Sequence, residues 1–112
     1  MALCLPGVEA SRKYDGSTVL KADGTFMAGI ATHPSAEPRT LVVRHGVEER
    51  GLIIADAPET YYLTDYYRTY PLLLARLPRL DRDALRELLA VSWRMARQKA
   101  GKQDVRGRQY SR

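Results

Sequence analysis

Short apolar runs punctuated by Gly and Pro occupy the first three quarters of the chain, and one long helical stripe occupies the last. Segments 17–21 and 25–32 flank Ala22-Asp23-Gly24. An Asp-Gly pair suits the positive φ angles of a tight hairpin turn, so two antiparallel strands are expected there. Across 33–39, Pro34 and Pro38 lack the amide hydrogens of a full ladder, which predicts a loop. Thr40-Leu41-Val42-Val43-Arg44 is β-branched and reads as a third strand. Over 47–55 the apolar residues lack a two-residue period, and Glu48-Glu49-Arg50 favours a helix with a solvated face.

Further along, 60–63 and 71–77 read as two more strands separated by 64–70, with Pro71 at the first position of its strand, where its missing donor is tolerated. Asp81 suits an N-cap, and Leu85, Leu88, Leu89, Ser92, Met95 and Ala96 share one stripe of a helix that runs to Gly101. Pro6-Gly7 ends whatever helix remnant 2–5 forms. Segment 102–112 is basic and nearly free of aliphatic residues, so a disordered tail is expected there. The resulting fold class is α+β in two layers. An antiparallel sheet of about five strands carries a central helix and a long C-terminal helix, in a domain spanning 1–101 with the tail 102–112.

The length of 112 residues, 45% of them hydrophobic, supports one modest core and not two. The apolar runs fall far short of the roughly 20 residues of a membrane span, and the N-terminus lacks the pattern of a signal peptide. No membrane association is expected. A single cysteine, Cys4, offers no intramolecular disulfide or metal pair, and the cytoplasm fits best. Catalysis, a cofactor and a metal are not expected, because no nucleophile–base set, ligand spacing or phosphate-cradling glycine loop is present. His33 and His45 read as surface residues, and Cys4 as a small core residue.

The net charge of +5 draws polyanions toward the protein. On the last helix Arg82, Arg86, Trp93 and Arg97 recur at spacings of four, seven and four residues, which places them on one stripe. Guanidinium groups around an indole combine phosphate contact with base stacking, as single-strand binders do. A solvated face opposite the apolar stripe is the plainer account of the same pattern. The tyrosine-rich segment 61–70, with Tyr67 and Arg68, is a second candidate for contacts to bases or to a protein groove. If the strand is real, one of Tyr61 and Tyr62 is expected to face the core and the other solvent.

Several local words occur in an order that resembles the MmcQ/YjbR family: Leu5-Pro6-Gly7-Val8-Glu9, Ala57-Pro58-Glu59-Thr60-Tyr61-Tyr62, Thr64-Asp65-Tyr66-Tyr67-Arg68-Thr69-Tyr70-Pro71, Leu85-Arg86-Glu87-Leu88-Leu89 and Ser92-Trp93-Arg94. The resemblance covers about 3–97. It implies a compact α+β domain similar to CyaY and to secretion chaperones, and DNA binding through a double-wing motif whose wings would be 21–25 and 33–39. It also implies a first helix that is mostly missing before Leu3. Thr25 and Tyr66 stand where relatives often carry Lys and His. Two functions follow as expectations. One is nonspecific DNA binding through phosphate contacts. The other is a protein-interaction module, as a homodimer or with a protein partner, working through an uncovered sheet face and the tyrosines.

Overall fold

The computed structural model describes residues 5–12 and 16–110, with side chains described to residue 99. Six strands form one antiparallel sheet in the spatial order β1-β2-β3-β4-β6-β5. They are β1 (Val8–Arg12), β2 (Thr18–Ala22), β3 (Thr25–Ile30), β4 (Thr40–Arg44), β5 (Tyr61–Tyr62) and β6 (Leu72–Arg76). Helix α1 (Val47–Asp56) follows β4, α2 (Asp65–Arg68) joins β5 to β6, and α3 (Arg82–Tyr110) ends the described chain. The α+β reading holds, in two layers. Among the described residues no helix is long and apolar enough to cross a membrane.

Local chemistry explains most boundaries. Asp23 and Gly24 take φ of 51° and 81°, the two positive values that a two-residue hairpin loop of type I′ requires. Asp81 caps α3 by accepting from the Ala84 amide at 2.7 Å. Thr64 caps α2 with its hydroxyl, and Pro71 lies just outside β6.

Two elements come in addition to those expected, β1 and α2. The sheet has six strands, because β1 pairs with β2 from Val8 opposite Ala22 to Arg12 opposite Thr18. That strand is mostly exposed and β-branched only at Val8, so neither propensity nor alternation announces it; the ladder with β2 makes it a strand. Segment 64–70 contains α2. Helix α3 itself is described as far as Tyr110, and Lys, Gln and Arg are good helix formers. Cys4 and all but Leu5 of the expected helix remnant lie outside the described residues.

The two faces of the sheet are filled differently. On one face Ala22, Ala28, Leu41, Val43, Leu73 and Ala75 pack against Leu88, Leu89 and Ala96 of α3, with Ile53 and Ile54 of α1 alongside. Fully buried Ser92 donates from Oγ to the Arg44 carbonyl at 2.8 Å and pins α3 to β4. A bulge in the β2–β3 ladder, where Leu20 faces Ala28 but Lys21 faces Phe26, inserts Met27 as an extra residue. Met27 therefore joins the core under α3, whereas Phe26 packs on the opposite face. That second face holds a smaller cluster of Val42, Leu74 and Tyr67.

Arg50, expected on a solvated face, is only 5% exposed. Its Nη1 donates to the carbonyls of Tyr70 at 2.6 Å and Leu72 at 3.0 Å, and its Nη2 to that of Arg68 at 2.6 Å. The guanidinium thus ties α1 to the turn between α2 and β6. Burial, and secondarily the positive charge of Arg68, lower its pKa from the ordinary arginine value, yet a guanidinium remains charged in proteins. Arg50→Met is expected to lower stability by about 3 kcal/mol in urea unfolding, because it leaves three carbonyls without their charged donor. A midpoint unchanged from that of the unsubstituted protein would mean that water replaces the donor without cost.

Candidate functional site

The second face of the sheet is closed at only one end. There the β5 side is fastened by Arg76, whose Nη2 and Nε donate to both Glu37 oxygens at 2.6 to 3.1 Å and whose guanidinium lies 4.3 Å from the centre of the Tyr62 ring. The Arg76 hydrogen bonds hold the Glu37 carboxyl below its usual pKa. Tyr62 shares a 2.6 Å hydrogen bond with Thr40 and accepts from the Glu37 amide at 2.9 Å. Tyr61 and Tyr62 are therefore both half-buried, since at this strand the sheet is covered on both sides.

Beyond this closed end lies a cleft of about 580 Å³. Its floor is Val19, Phe26, Gly29, Val42 and Leu72, and its wall is His33, Tyr66, Tyr67 and Tyr70. The floor follows from strand register: Val19, Gly29 and Val42 lie opposite one another on β2, β3 and β4 and so share a face. Gly29 has the role of a spacer. A Cβ there would come 3.1 Å from Val19 Cγ1, closer than ordinary contact, so a side chain at this position would have to displace Val19, while Phe26 Cε1 at 3.5 Å would be touched without being displaced.

The wall is a ring cluster. His33 and Tyr66 stack at 3.6 Å with planes 10° apart, Tyr67 meets Tyr66 edge-on at 5.0 Å, and Tyr70 tilts against Tyr66 at 5.9 Å. Polar bonds hold it in place. His33 Nδ1 accepts from the Ser35 amide at 3.1 Å, which puts any proton of the neutral ring on Nε2. Ser35 Oγ bonds Thr64 Oγ1 at 2.9 Å, and the His33 amide donates to the Tyr67 hydroxyl at 3.3 Å. Loop 33–36 is thereby stitched to the α2 cap. Tyr66 and Tyr70 remain 47% and 46% exposed at the rim. None of the lining residues is an aspartate, glutamate, lysine or arginine. Such a surface can take an aromatic or aliphatic group by stacking and burial.

The sequence-derived site residues are distributed elsewhere. Arg82 and Arg86 are exposed at the start of α3, interleaved with Asp83 and Glu87. Trp93 and Arg97 do come together, but around the N-terminal turn and the β2–β3 hairpin. The indole Nε1 donates to the Pro6 carbonyl at 2.8 Å, and Arg97 lies 5.2 Å from the indole centre while pairing with Asp23 at 2.8 Å. Arg68 pairs with Asp65 at 3.8 Å, and Tyr67 is buried. His45 is also buried, contrary to the surface position expected of it. Tyr66, Tyr70 and His33 lay within segments already noted for their tyrosines or their loop. The floor residues had no signal of their own, because strand pairing alone gathers them.

Comparisons with protein-family models, with curated proteins and with solved structures give no match.

Gly29→Val is expected to cost about 1–3 kcal/mol by overpacking the floor, and to drive Val19 into the cleft. Urea unfolding measures the first effect. Altered chemical shifts of the Tyr66 and Tyr70 rings measure the second, and unchanged rings would mean the floor relaxes away from the cleft.

Proposed function

We propose that this chain is a protein-interaction module whose cleft takes an aromatic or aliphatic side chain from an extended segment of a protein partner. The supporting observation is the pair of half-exposed tyrosines, Tyr66 and Tyr70, set over an apolar floor. Aromatic side chains in this position provide large contact area at little conformational cost, and they dominate binding energy where interfaces have been dissected. The resemblance to the MmcQ/YjbR family, whose fold is similar to that of secretion chaperones, points the same way. Self-association through this face would be the homodimeric form of the same reading.

The test uses N-acetyltryptophanamide as a probe, followed by backbone amide shifts during titration. Saturable shifts at Gly29, Tyr66 and Tyr70 are expected, weakened at least about tenfold in Tyr66→Ala/Tyr70→Ala, the size of an ordinary aromatic contact. Shifts scattered over the surface, or insensitive to the double substitution, would remove the cleft as the binding face.

Nonspecific DNA binding is a second reading, favoured by the exposure of Arg82 and Arg86 and by the net charge of +5. Its contacts would be to phosphates, so affinity should fall steeply with salt. On this reading, fluorescence anisotropy of a labelled duplex detects binding at low salt that both added salt and Arg82→Ala/Arg86→Ala weaken. Absence of binding at low salt would dispose of it.

A further inference from the structure

Arg44 is the last residue of β4, and the alternation of that strand turns its side chain to the cleft face. Val42 packs in the cluster on that face and Val43 beneath α3, so Arg44 follows on the side of Val42. Register agrees. Arg44 pairs opposite Leu72 of β6, a residue of the cleft floor. Its Nε donates to the backbone carbonyl of Phe26, another floor residue, at 2.8 Å. The side chain is thus fixed beside Phe26, Val42 and Leu72, at the margin of the cleft.

The rest of the guanidinium is unanswered. Arg68, Arg76 and Arg97 each pair with a carboxylate, and Arg50 is enclosed by carbonyls. Nη1 and Nη2 of half-buried Arg44 make no hydrogen bond and no ion pair among the described residues. No fully enclosed side-chain nitrogen or oxygen among those residues lacks a partner, so both nitrogens are reachable from outside. Burial lowers the Arg44 pKa from the ordinary arginine value, yet a guanidinium remains charged in proteins. A partly desolvated cation without a counter-ion therefore borders an aromatic cleft whose lining has no charged residue to oppose it.

Spacing and reach specify the anion. Val42 and Arg44 are two strand positions apart, roughly 6.6 Å, which is also the separation of same-side residues in any extended segment. A segment lying along β4 with an aromatic side chain over Val42 and Gly29 thus brings the side chain two residues away beside Arg44. Because Nε is bonded to a backbone carbonyl of the sheet, the guanidinium lies close to the sheet surface. A carboxylate on a side chain descends to it as the aromatic ring descends to the floor, whereas a terminal carboxylate stays at the level of its own backbone.

We propose that the segment held by this cleft is acidic, with an aspartate or glutamate two residues from the aromatic residue, and that this carboxylate pairs with Nη1 and Nη2 of Arg44. The inference rests on the reading of the cleft as a side-chain binding site and adds the charge and spacing of the partner.

The experiment titrates the full chain, followed by backbone amide and arginine Nε–H shifts, with acetyl-Trp-Gly-Glu-amide, acetyl-Trp-Gly-Gln-amide and acetyl-Trp-Gly-Gly bearing a free terminal carboxylate. All three are expected to shift Gly29, Tyr66 and Tyr70, and the glutamate peptide alone to shift the Arg44 Nε–H. At low ionic strength the glutamate peptide should bind about fivefold or more tightly than the glutamine peptide, and added salt should narrow the difference. In Arg44→Gln the preference should vanish while the glutamine peptide binds as before. An equal loss for both peptides would mean that Arg44 only supports the floor, which overturns the proposal. Equal binding of the two peptides to the unsubstituted protein overturns it without any variant and leaves the cleft reading standing. Binding of the free-carboxylate peptide as tight as that of the glutamate peptide would overturn the assignment to an acidic side chain. Failure of all three peptides and of N-acetyltryptophanamide to shift the cleft would remove the cleft reading itself, and the proposal with it.

Discussion

The Arg50 guanidinium, enclosed by the carbonyls of Arg68, Tyr70 and Leu72, is the contact on which the position of the tyrosine wall depends. Its backbone belongs to α1, on the helical side of the sheet, and its donors end on the turn that carries the tyrosine wall of the opposite side. Among the described residues no carboxylate pairs with it. A buried cation answered only by carbonyls tolerates little displacement, because each lost bond exposes both a charge and a lone pair to an apolar surround. The turn at 68–72 is thereby held against α1, the Leu72 end of β6 is aligned beside β4, and Tyr66 and Tyr70 stand at a set height over the sheet.

From that constraint the cleft follows by register. The extra residue at Met27 turns β3 so that its largest apolar side chains divide between the faces, Met27 beneath α3 and Phe26 on the opposite side. Gly29 keeps the middle of the floor low, and the Glu37–Arg76–Tyr62 cluster closes one end. Beyond it the apolar floor and the tyrosine rim, carried partly by α2, share one concave surface.

Electrostatics separates the faces further. The arginines of α3 are interleaved with Asp83 and Glu87, and the arginine nearest the indole pairs with Asp23, so the positive charge is not gathered into one bare stripe. The cleft on the other face has no such charge in its lining, and stacking and burial are the chemistry it offers.

By itself the sequence determined the elements whose causes are local. The Asp23-Gly24 hairpin, the β-branched β4, the Asp81 cap and the apolar stripe of α3 each arise from residues a few positions apart, and a few positions suffice to read them. Tertiary structure alone decided what depends on distant partners. Strand β1 exists because β2 offers it a ladder, and Arg50 is buried because carbonyls 18 to 22 residues later surround it. Trp93 serves the N-terminal turn because Pro6 lies beside it, 87 positions away in the chain. The cleft belongs to this second class. It is the space left between elements, and the width of such a space is set by long-range packing that local residue preferences do not encode.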